Sequence, residues 1–237
     1  MLRFLAQYKK IKQIGFGAYS TIYLYRHRLR KKKQIVLKEI QRDAYHPYEE
    51  QHLKQLETKP GICTLYSTLT TPHHVYLLLK YYPGGDLLDN IHQMTTPLQQ
   101  EWVKNSMNKM SALIHVCHQH GIAHLDIKPE NFVFDKHGTL ILIDFGMSRP
   151  FVAEQPSTLY STFSALGSDT YASPESCQRM YCGKSDVWSL GIIFRHFCAH
   201  MDPCPIEYLE LLDWMLQQDV QHRASIQDVC TSILTWE

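Results

Sequence analysis

The 237 residues suffice to bury a sizeable core, as one large domain or two small lobes. Twenty-four basic residues against 23 acidic ones leave a formal charge of +1, so the balance gives no reason to expect a nucleic-acid or membrane partner. Seven cysteines without a repeating pair spacing, a Met1–Lys10 segment that lacks a leader's apolar core, and no apolar run of spanning length point to a reduced, cytoplasmic protein with free thiols, a nuclear location being the alternative.

In chain order, β-branched and aromatic runs dominate the first eighty residues: Ile14, Tyr19–Tyr25, Gln34–Ile40, Cys63–Thr68 and Val75–Tyr81, with one helix expected around Pro47–Leu56. Pro83-Gly84-Gly85 is a chain reversal. Beyond it the period becomes helical, with Trp102, Met107, Met110, Leu113, Ile114 and Cys117 on one face. Asp186–Cys198 is apolar on most faces and reads as a buried central helix; Tyr208–Leu216 and Ile226–Leu234 close the chain as helices. The expectation is an α+β chain with a strand-rich lobe over residues 1–81, a hinge near Lys80–Gly85, and a larger helical lobe over residues 82–237.

The stretch His124–Gly146 carries the chemistry. A polar loop with Asp126, Lys128 and Asn131 precedes two apolar runs, Phe132–Phe134 and Leu140–Ile143, joined by the turn-forming Asp135-Lys136-His137-Gly138. That hairpin returns Asp144 towards the loop, so two acids, an amide and a lysine converge. Asn131 and Asp144 suit Mg²⁺, which takes few protein oxygens and keeps waters. Asp126 is then free for a substrate hydroxyl and Lys128 for a phosphate, which is phosphoryl-transfer chemistry.

The stretch resembles the catalytic loop and magnesium-binding Asp-Phe-Gly of eukaryotic protein kinases, and Lys128-Pro129-Glu130-Asn131 leans towards the serine/threonine branch. The resemblance implies one kinase domain over residues 1–237 with a bilobal α+β fold, a small antiparallel sheet lobe with one helix above a larger, mainly helical lobe. ATP and Mg²⁺ are the implied cofactors, a protein bearing a Ser or Thr hydroxyl the implied substrate, and a monomer the implied state. Asp126 is the expected base, with Lys128 and Asn131 beside it and Asn131 and Asp144 on the metal. Around the nucleotide the resemblance places Ile14, Gly15, Phe16, Gly17, Ala18 and Ile22 in the glycine-rich loop, with Ser20 where a third glycine is usual. Lys38 at the end of Ile35-Val36-Leu37-Lys38 would sit on the α- and β-phosphates. Its acidic partner is expected to be Glu49, which puts Leu53 and Leu56 on the inward helical face, with Glu50 as the rival. Leu79 would guard the adenine pocket, Lys80 and Tyr82 belong to the hinge, Asp86 would meet the ribose, and Val36 and Val133 would line the pocket.

Gly167–Glu175 resembles the segment on which kinase substrates rest, with Ser168 expected to bond Asp126 and Lys128. Asp186 is expected to brace the catalytic-loop backbone, His118 to be structural, and Arg223 to pair with Glu175. Two departures matter. Leu125 stands where an arginine usually meets a phosphate on the activation segment, so that segment is expected to be held by packing, with Phe151, Leu159, Tyr160 and Phe163 as anchors; replacement of the arginine by Arg149 is the alternative. The chain between Gly191 and Arg223 is short, so a substrate-docking helix is expected to be lost or reduced to a turn. Glu130 and Asp86 lean weakly towards basic substrates.

His115, Cys117, His118 and His120 resemble metal ligands, but a two-residue spacing on a helix turns His115 away from Cys117. Arg26–Lys33 holds seven basic residues in eight and reads as a solvated hairpin tip or a nuclear signal. Two functions stand: an active Mg-ATP-dependent serine/threonine kinase, or a pseudokinase that binds nucleotide as an interaction module. Lys38, Asp126, Asn131 and Asp144 are all present, which favours the first. A P-loop phosphotransferase is excluded by the absence of its signature.

Overall fold

A computed structural model describes residues 6–17, 19–93, 97–162, 166–168 and 170–236. Its first third forms a five-stranded antiparallel sheet in the order β1-β2-β3-β5-β4. The strands are β1 (Tyr8–Phe16), β2 (Ser20–His27), β3 (Gln34–Gln41), β4 (Leu65–Thr70) and β5 (His74–Lys80), with helix α1 (Tyr48–Gln55) between β3 and β4. Alternation along β3 explains how the sheet is used. Ile35 and Leu37 point to one face, where they pack with Tyr8 and Leu78, while Val36, Lys38 and Ile40 point to the other. The register aligns Ile22 with Lys38, Leu24 with Val36, and Val36 with Leu79. Residues directly opposite share a face, so Ile22, Val36, Lys38 and Leu79 form one roof.

After β5 the chain turns through Pro83–Gly85 into α2 (Leu87–His92), whose N-terminus is capped by Asp86 Oδ1 accepting from Asp89 N at 2.8 Å. At Gly84 a Cβ would lie 2.7 Å from Phe134 Cβ and from its carbonyl oxygen, so only glycine lets the hinge close against the hairpin below. The long α3 (Gln100–Gln119) buries Val103, Met107, Met110, Ile114 and Cys117 completely, a 4-3-4-3 spacing that gives one apolar stripe. That stripe meets α5 (Lys184–Ala199) and α7 (Ile226–Leu234), and α6 (Ile206–Met215) packs on α5. Helix α7 starts with a capping box between Ser225 and Asp228. Short paired strands complete the lobe: β6 (Ile122–Ala123) with β9 (Arg149–Pro150), β7 (Phe132–Phe134) with β8 (Leu140–Leu142), and β10 (Tyr160–Ser161) with β11 (Met180–Tyr181); α4 (Pro174–Cys177) is a single turn.

The expected elements are present, with bounds shifted by a few residues. The first strand starts at Tyr8, well before Ile14, and the strand expected at Cys63–Thr68 runs Leu65–Thr70. Between α5 and α6 only residues 200–205 remain, so the reading of a lost docking helix matches the described residues. Glu175 and Arg223 form a buried bidentate pair, with Nη1 and Nη2 donating to the two carboxylate oxygens at 2.7 and 3.0 Å. Burial pushes the Glu175 carboxyl up, and the bonds from Arg223 and Ser185 more than reverse this. Breaking such a pair costs roughly 3–5 kcal/mol. Among the described residues no helix is long and apolar enough to cross a membrane.

Candidate active site

Two clusters of polar side chains face each other across the junction of the lobes. The upper one is built on Lys38. Its Nζ donates to Glu49 Oε1 and Oε2 at 2.9 and 2.8 Å and to Asp144 Oδ1 at 2.7 Å. The helical face anticipated from Leu53 is the one that turns inward: Leu53 and Glu49 are buried, while Glu50 accepts from Lys54 and Tyr45 at the surface. Burial alone would lower the Lys38 pKa; the carboxylates of Asp144 and Glu49 outweigh it and raise it well above the usual lysine value. Lys38 in turn holds the Asp144 carboxyl down at about 2 against burial. Glu49 is raised, because its own desolvation exceeds the help from Lys38.

Asp144 adopts a left-handed backbone (φ 60°) that leads into a 3-10 turn over Phe145–Met147. A non-glycine residue there is strained, and the strain delivers the carboxylate to Lys38 while Phe145 is wholly buried. A Cβ on Gly146 would come within 3.1 Å of Lys38 Nζ and 3.2 Å of Asp144 Oδ1. A side chain at this position would crowd the Lys38–Asp144 pair, which would have to give by a few tenths of an ångström.

The lower cluster is built on Asp126. Its Oδ2 accepts from Lys128 Nζ at 2.8 Å and Asn131 Nδ2 at 2.9 Å, and its Oδ1 accepts from Ser168 Oγ at 3.0 Å. Ser168 also accepts from Lys128 Nζ at 2.9 Å. Three donors leave about one of the four acceptor positions of the carboxylate for a further hydroxyl. The backbone beneath is clamped by Asp186 at the start of α5, which accepts from Leu125 N at 2.7 Å, His124 N at 2.8 Å and the His118 ring at 2.8 Å. The clusters are joined by the hairpin. Ile143 N donates to the Asn131 carbonyl at 2.9 Å, so Asn131 is tied to the residue immediately before Asp144.

Of the residues expected around a nucleotide, Ile22, Val36, Lys38 and Leu79 share the sheet face above this junction, and Gly15 stands opposite Ile22 in the β1–β2 register. Phe16 is 83% exposed at the tip of that turn, Gly17 N closes it on Ser20 O at 2.8 Å, and Ala18 lies outside the described residues. Val133 bridges to Asp86 through the backbone. Lys80 is exposed, its ammonium 5.2 Å from the Tyr82 ring centroid. Tyr82 is turned into the core, its hydroxyl accepting from Thr64 N at 3.1 Å, so its backbone, and not its side chain, borders the hinge. Ile14 is exposed on β1.

Two contacts were not anticipated. His52 Nδ1 lies 2.7 Å from Ser148 Oγ, and Ser148 Oγ donates to the Phe145 carbonyl at 2.6 Å. The serine proton is thus committed, so the neutral His52 must donate through Nδ1. Burial, more than the nearby Arg149, lowers the His52 pKa to about 4. Tyr48 stacks on His52 and lies beneath the Arg149 guanidinium. Helix α1 is thereby bonded directly to the segment after Asp144. A histidine three residues after Glu49 was the available signal, since it shares the inward face.

The segment beyond is held by an apolar cluster of Ala123, Leu125, Phe151, Leu166 and Tyr181, with Tyr160 packed against it. Leu125 itself is left-handed (φ 65°). Leu159, expected among the anchors, is 44% exposed and takes no part, because β10 begins one residue later and turns Tyr160 inward instead; Phe163 lies outside the described residues. Arg149 binds the carbonyls of Met147 and Ser148. Among the described residues no group of three His, Cys, Asp or Glu side chains could hold a metal, so a zinc site on α3 is absent there; His118 is bonded to Asp186 and His120 to the Val116 carbonyl.

A family model for the protein kinase domain matches residues 8–208. The chain is 29% identical over 244 residues to the probable serine/threonine-protein kinase MARK-A of Dictyostelium discoideum, covering 98% of this chain and 22% of that one. It is 31% identical over 219 residues to the maternal embryonic leucine zipper kinase of Danio rerio (87% and 32%) and 28% identical over 250 residues to the SNF-related serine/threonine-protein kinase of Homo sapiens (92% and 32%). It thus spans between a fifth and a third of the length of these relatives. The five-stranded sheet, the helical lobe and the match across both place the chain in the protein kinase family, with its bilobal α+β fold.

Proposed function

We propose that the protein transfers the γ-phosphoryl group of ATP to serine or threonine hydroxyls of protein substrates. The observation that carries this reading is the joint placement of Lys38, Glu49 and Asp144 above Asp126, Lys128, Asn131 and Ser168. Magnesium fits the donors present: Asn131 spends its amide nitrogen on Asp126, which leaves Oδ1 for a cation, and Asp144 stays ionised with 36% of its side chain exposed. When bound, the ion would supply positive charge to the β- and γ-phosphates.

The chain's own residues do the rest. Lys38, kept cationic and aimed by Glu49, holds the α- and β-phosphates under the roof of Ile22, Val36 and Leu79, with Val133 below and the backbone of Lys80 and Tyr82 at the edge of the adenine. Gly15, Phe16 and Gly17 close over the phosphates, together with Ala18. Asp86 spends Oδ1 on capping α2 and keeps Oδ2 for the ribose. Asp126 accepts the proton of the incoming hydroxyl as its oxygen bonds to the γ-phosphorus and the bond to the β,γ-bridging oxygen breaks. Lys128 balances charge on the transferred group. The reach of Lys128, pinned to Asp126 and Ser168, suits a short acceptor side chain over a tyrosine. The protein acts as a cytoplasmic monomer in this reading, and a nucleotide-binding module without transfer is the competing one.

Asp126→Asn keeps the size of the side chain while removing the base, at the loss of the bonds accepted by the oxygen that becomes an amide nitrogen, and base removal costs about 10²–10⁴-fold in rate. Wild-type protein should label serine and threonine from γ-labelled Mg-ATP, and Asp126→Asn should not while still binding nucleotide. Wild-type protein that binds nucleotide but transfers nothing, with magnesium or manganese, would establish the competing reading.

A further inference from the structure

The near-neutral total charge conceals a separation between the lobes. Residues 1–81 carry fifteen Lys and Arg against five Asp and Glu, a net +10, and residues 82–237 carry nine against eighteen, a net −9. The excess is concentrated on β1 and the β2–β3 hairpin. Lys9, Lys10 and Lys12 are exposed along β1, and Lys9 stands directly opposite Arg26 in the register. Like charges placed so are destabilising. Among the described residues no salt bridge neutralises Lys9, Lys12, Arg26, Arg30, Lys31 or Lys32.

The hairpin tip is nevertheless well built. His27 Nδ1 accepts from the N–H groups of Leu29 and Arg30 at 3.2 and 3.0 Å, and Lys33 N and His27 N close the turn on Arg30 O and Lys33 O. Arg28 ties the tip to the chain before β1 through Gln7 O and Ala6 O. This ordered turn holds Leu29 at 89% exposure between two arginines. An exposed apolar side chain on a hydrogen-bonded apex, with Arg28, Arg30, Lys31 and Lys32 beside it in the chain, suits an acyl layer beneath anionic headgroups.

We propose that the β2–β3 hairpin is a peripheral contact with an anionic phospholipid surface, Leu29 entering the headgroup–acyl boundary and the surrounding cations resting on the headgroups. The net −9 of the helical lobe is repelled by the same surface, which turns that lobe and the cleft outward. Single-stranded nucleic acid is the lesser match, because its binders stack bases on aromatic rings and the run from Arg28 to Lys33 has none. The site of phosphoryl transfer is not involved. Lys38 lies four register positions along β3 from Gln34, or about 13 Å at 3.3 Å per residue.

The test is sedimentation of the whole protein with vesicles of phosphatidylcholine alone or of equal parts phosphatidylcholine and phosphatidylserine. Binding should occur on the second only and weaken with added salt. Lys31→Glu with Lys32→Glu should weaken it at least twentyfold, since each cation near such a surface is worth roughly fivefold. Leu29→Ser should weaken it about fivefold or more while leaving the midpoint of thermal unfolding unchanged. Three results would overturn the proposal: no binding to phosphatidylserine vesicles at physiological salt, Leu29→Ser binding them as wild type does, or mixed-sequence single-stranded RNA displacing the protein from them as the tighter ligand.

Discussion

The segment that begins at Asp144 is fastened twice, by opposite means. At its start the fastening is polar: Lys38 forms ion pairs with Glu49 and Asp144, and neutral His52 is hydrogen-bonded to Ser148. Farther along it is apolar, with Phe151, Leu166 and Tyr181 packed on Leu125 and Ala123. The first fastening can serve a reaction, because its charges are where a polyphosphate would need them. The second carries no charge and can only hold. A phosphate on this segment would ordinarily act by pairing with a cationic cluster, and Leu125 puts hydrocarbon at the centre of where that cluster would be. The difference separates the part of the segment that is chemical from the part that is scaffolding.

The largest effect should come from the polar fastening. Lys38→Met removes the phosphate cation and leaves buried Glu49 unpaired; transfer should fall about 10²–10³-fold, the usual loss for one preorganised electrostatic group. Initial rates at saturating ATP measure this, and a fall of less than tenfold would show that the Lys38 cluster only positions α1.

The apolar fastening should show itself in stability. Leu125→Ala should cost about 2–5 kcal/mol of unfolding free energy, as for other buried leucines. Its left-handed backbone adds a sharper expectation. Glycine relieves a conformation that costs other residues roughly 1–2 kcal/mol, so Leu125→Gly should be no worse than Leu125→Ala although it removes one carbon more. Denaturant unfolding of the two variants checks this, and a glycine variant clearly less stable than the alanine one would mean that the backbone at 125 is unstrained.

A smaller effect separates the two polar contacts of the first fastening by pH. His52 titrates at about 4 in the folded protein against an ordinary 6.5, so between those values the unfolded chain takes up a proton that the folded one refuses. Its contribution to stability is therefore complete above about 6.5 and declines as the pH falls towards 4. Asp144, held at about 2 against an ordinary 3.8, contributes above 3.8 and loses its part only as the pH falls through 2, so the windows do not overlap. His52→Gln should flatten the fall of the unfolding midpoint between pH 6.5 and 4, and an unchanged slope would place the acid sensitivity elsewhere.

Much of the fold and of the candidate site was legible in the sequence because it rests on local patterns. Period and turn residues located the sheet, the hairpin and the buried helices, and helical spacing from Leu53 and Leu56 was enough to choose Glu49 over Glu50. What was not legible depends on contacts distant in sequence. His52 and Ser148 are 96 residues apart, and nothing local says that a histidine on α1 will meet a serine after Asp144. The inward turn of Tyr82 depends on Thr64 across the sheet. Leu159 and Tyr160 are both apolar enough to anchor the segment, and only the position of β10 decides that the tyrosine does. The charge separation was present in the sequence but hidden by summing over both lobes.

The site should assemble and transfer phosphate with no phosphate on the segment after Asp144, because the far part of that segment is fastened by the Leu125 cluster and not by a phosphate–cation pair. The check is phosphatase treatment of the purified protein, with complete dephosphorylation verified by mass, followed by measurement of the initial rate of γ-phosphoryl transfer to a serine-containing protein. The expected result is a rate within a few-fold of that of the untreated protein. A fall of tenfold or more, equivalent to about 1.4 kcal/mol or more in the barrier, would show that a phosphate–cation contact supports the segment and that the Leu125 cluster does not suffice.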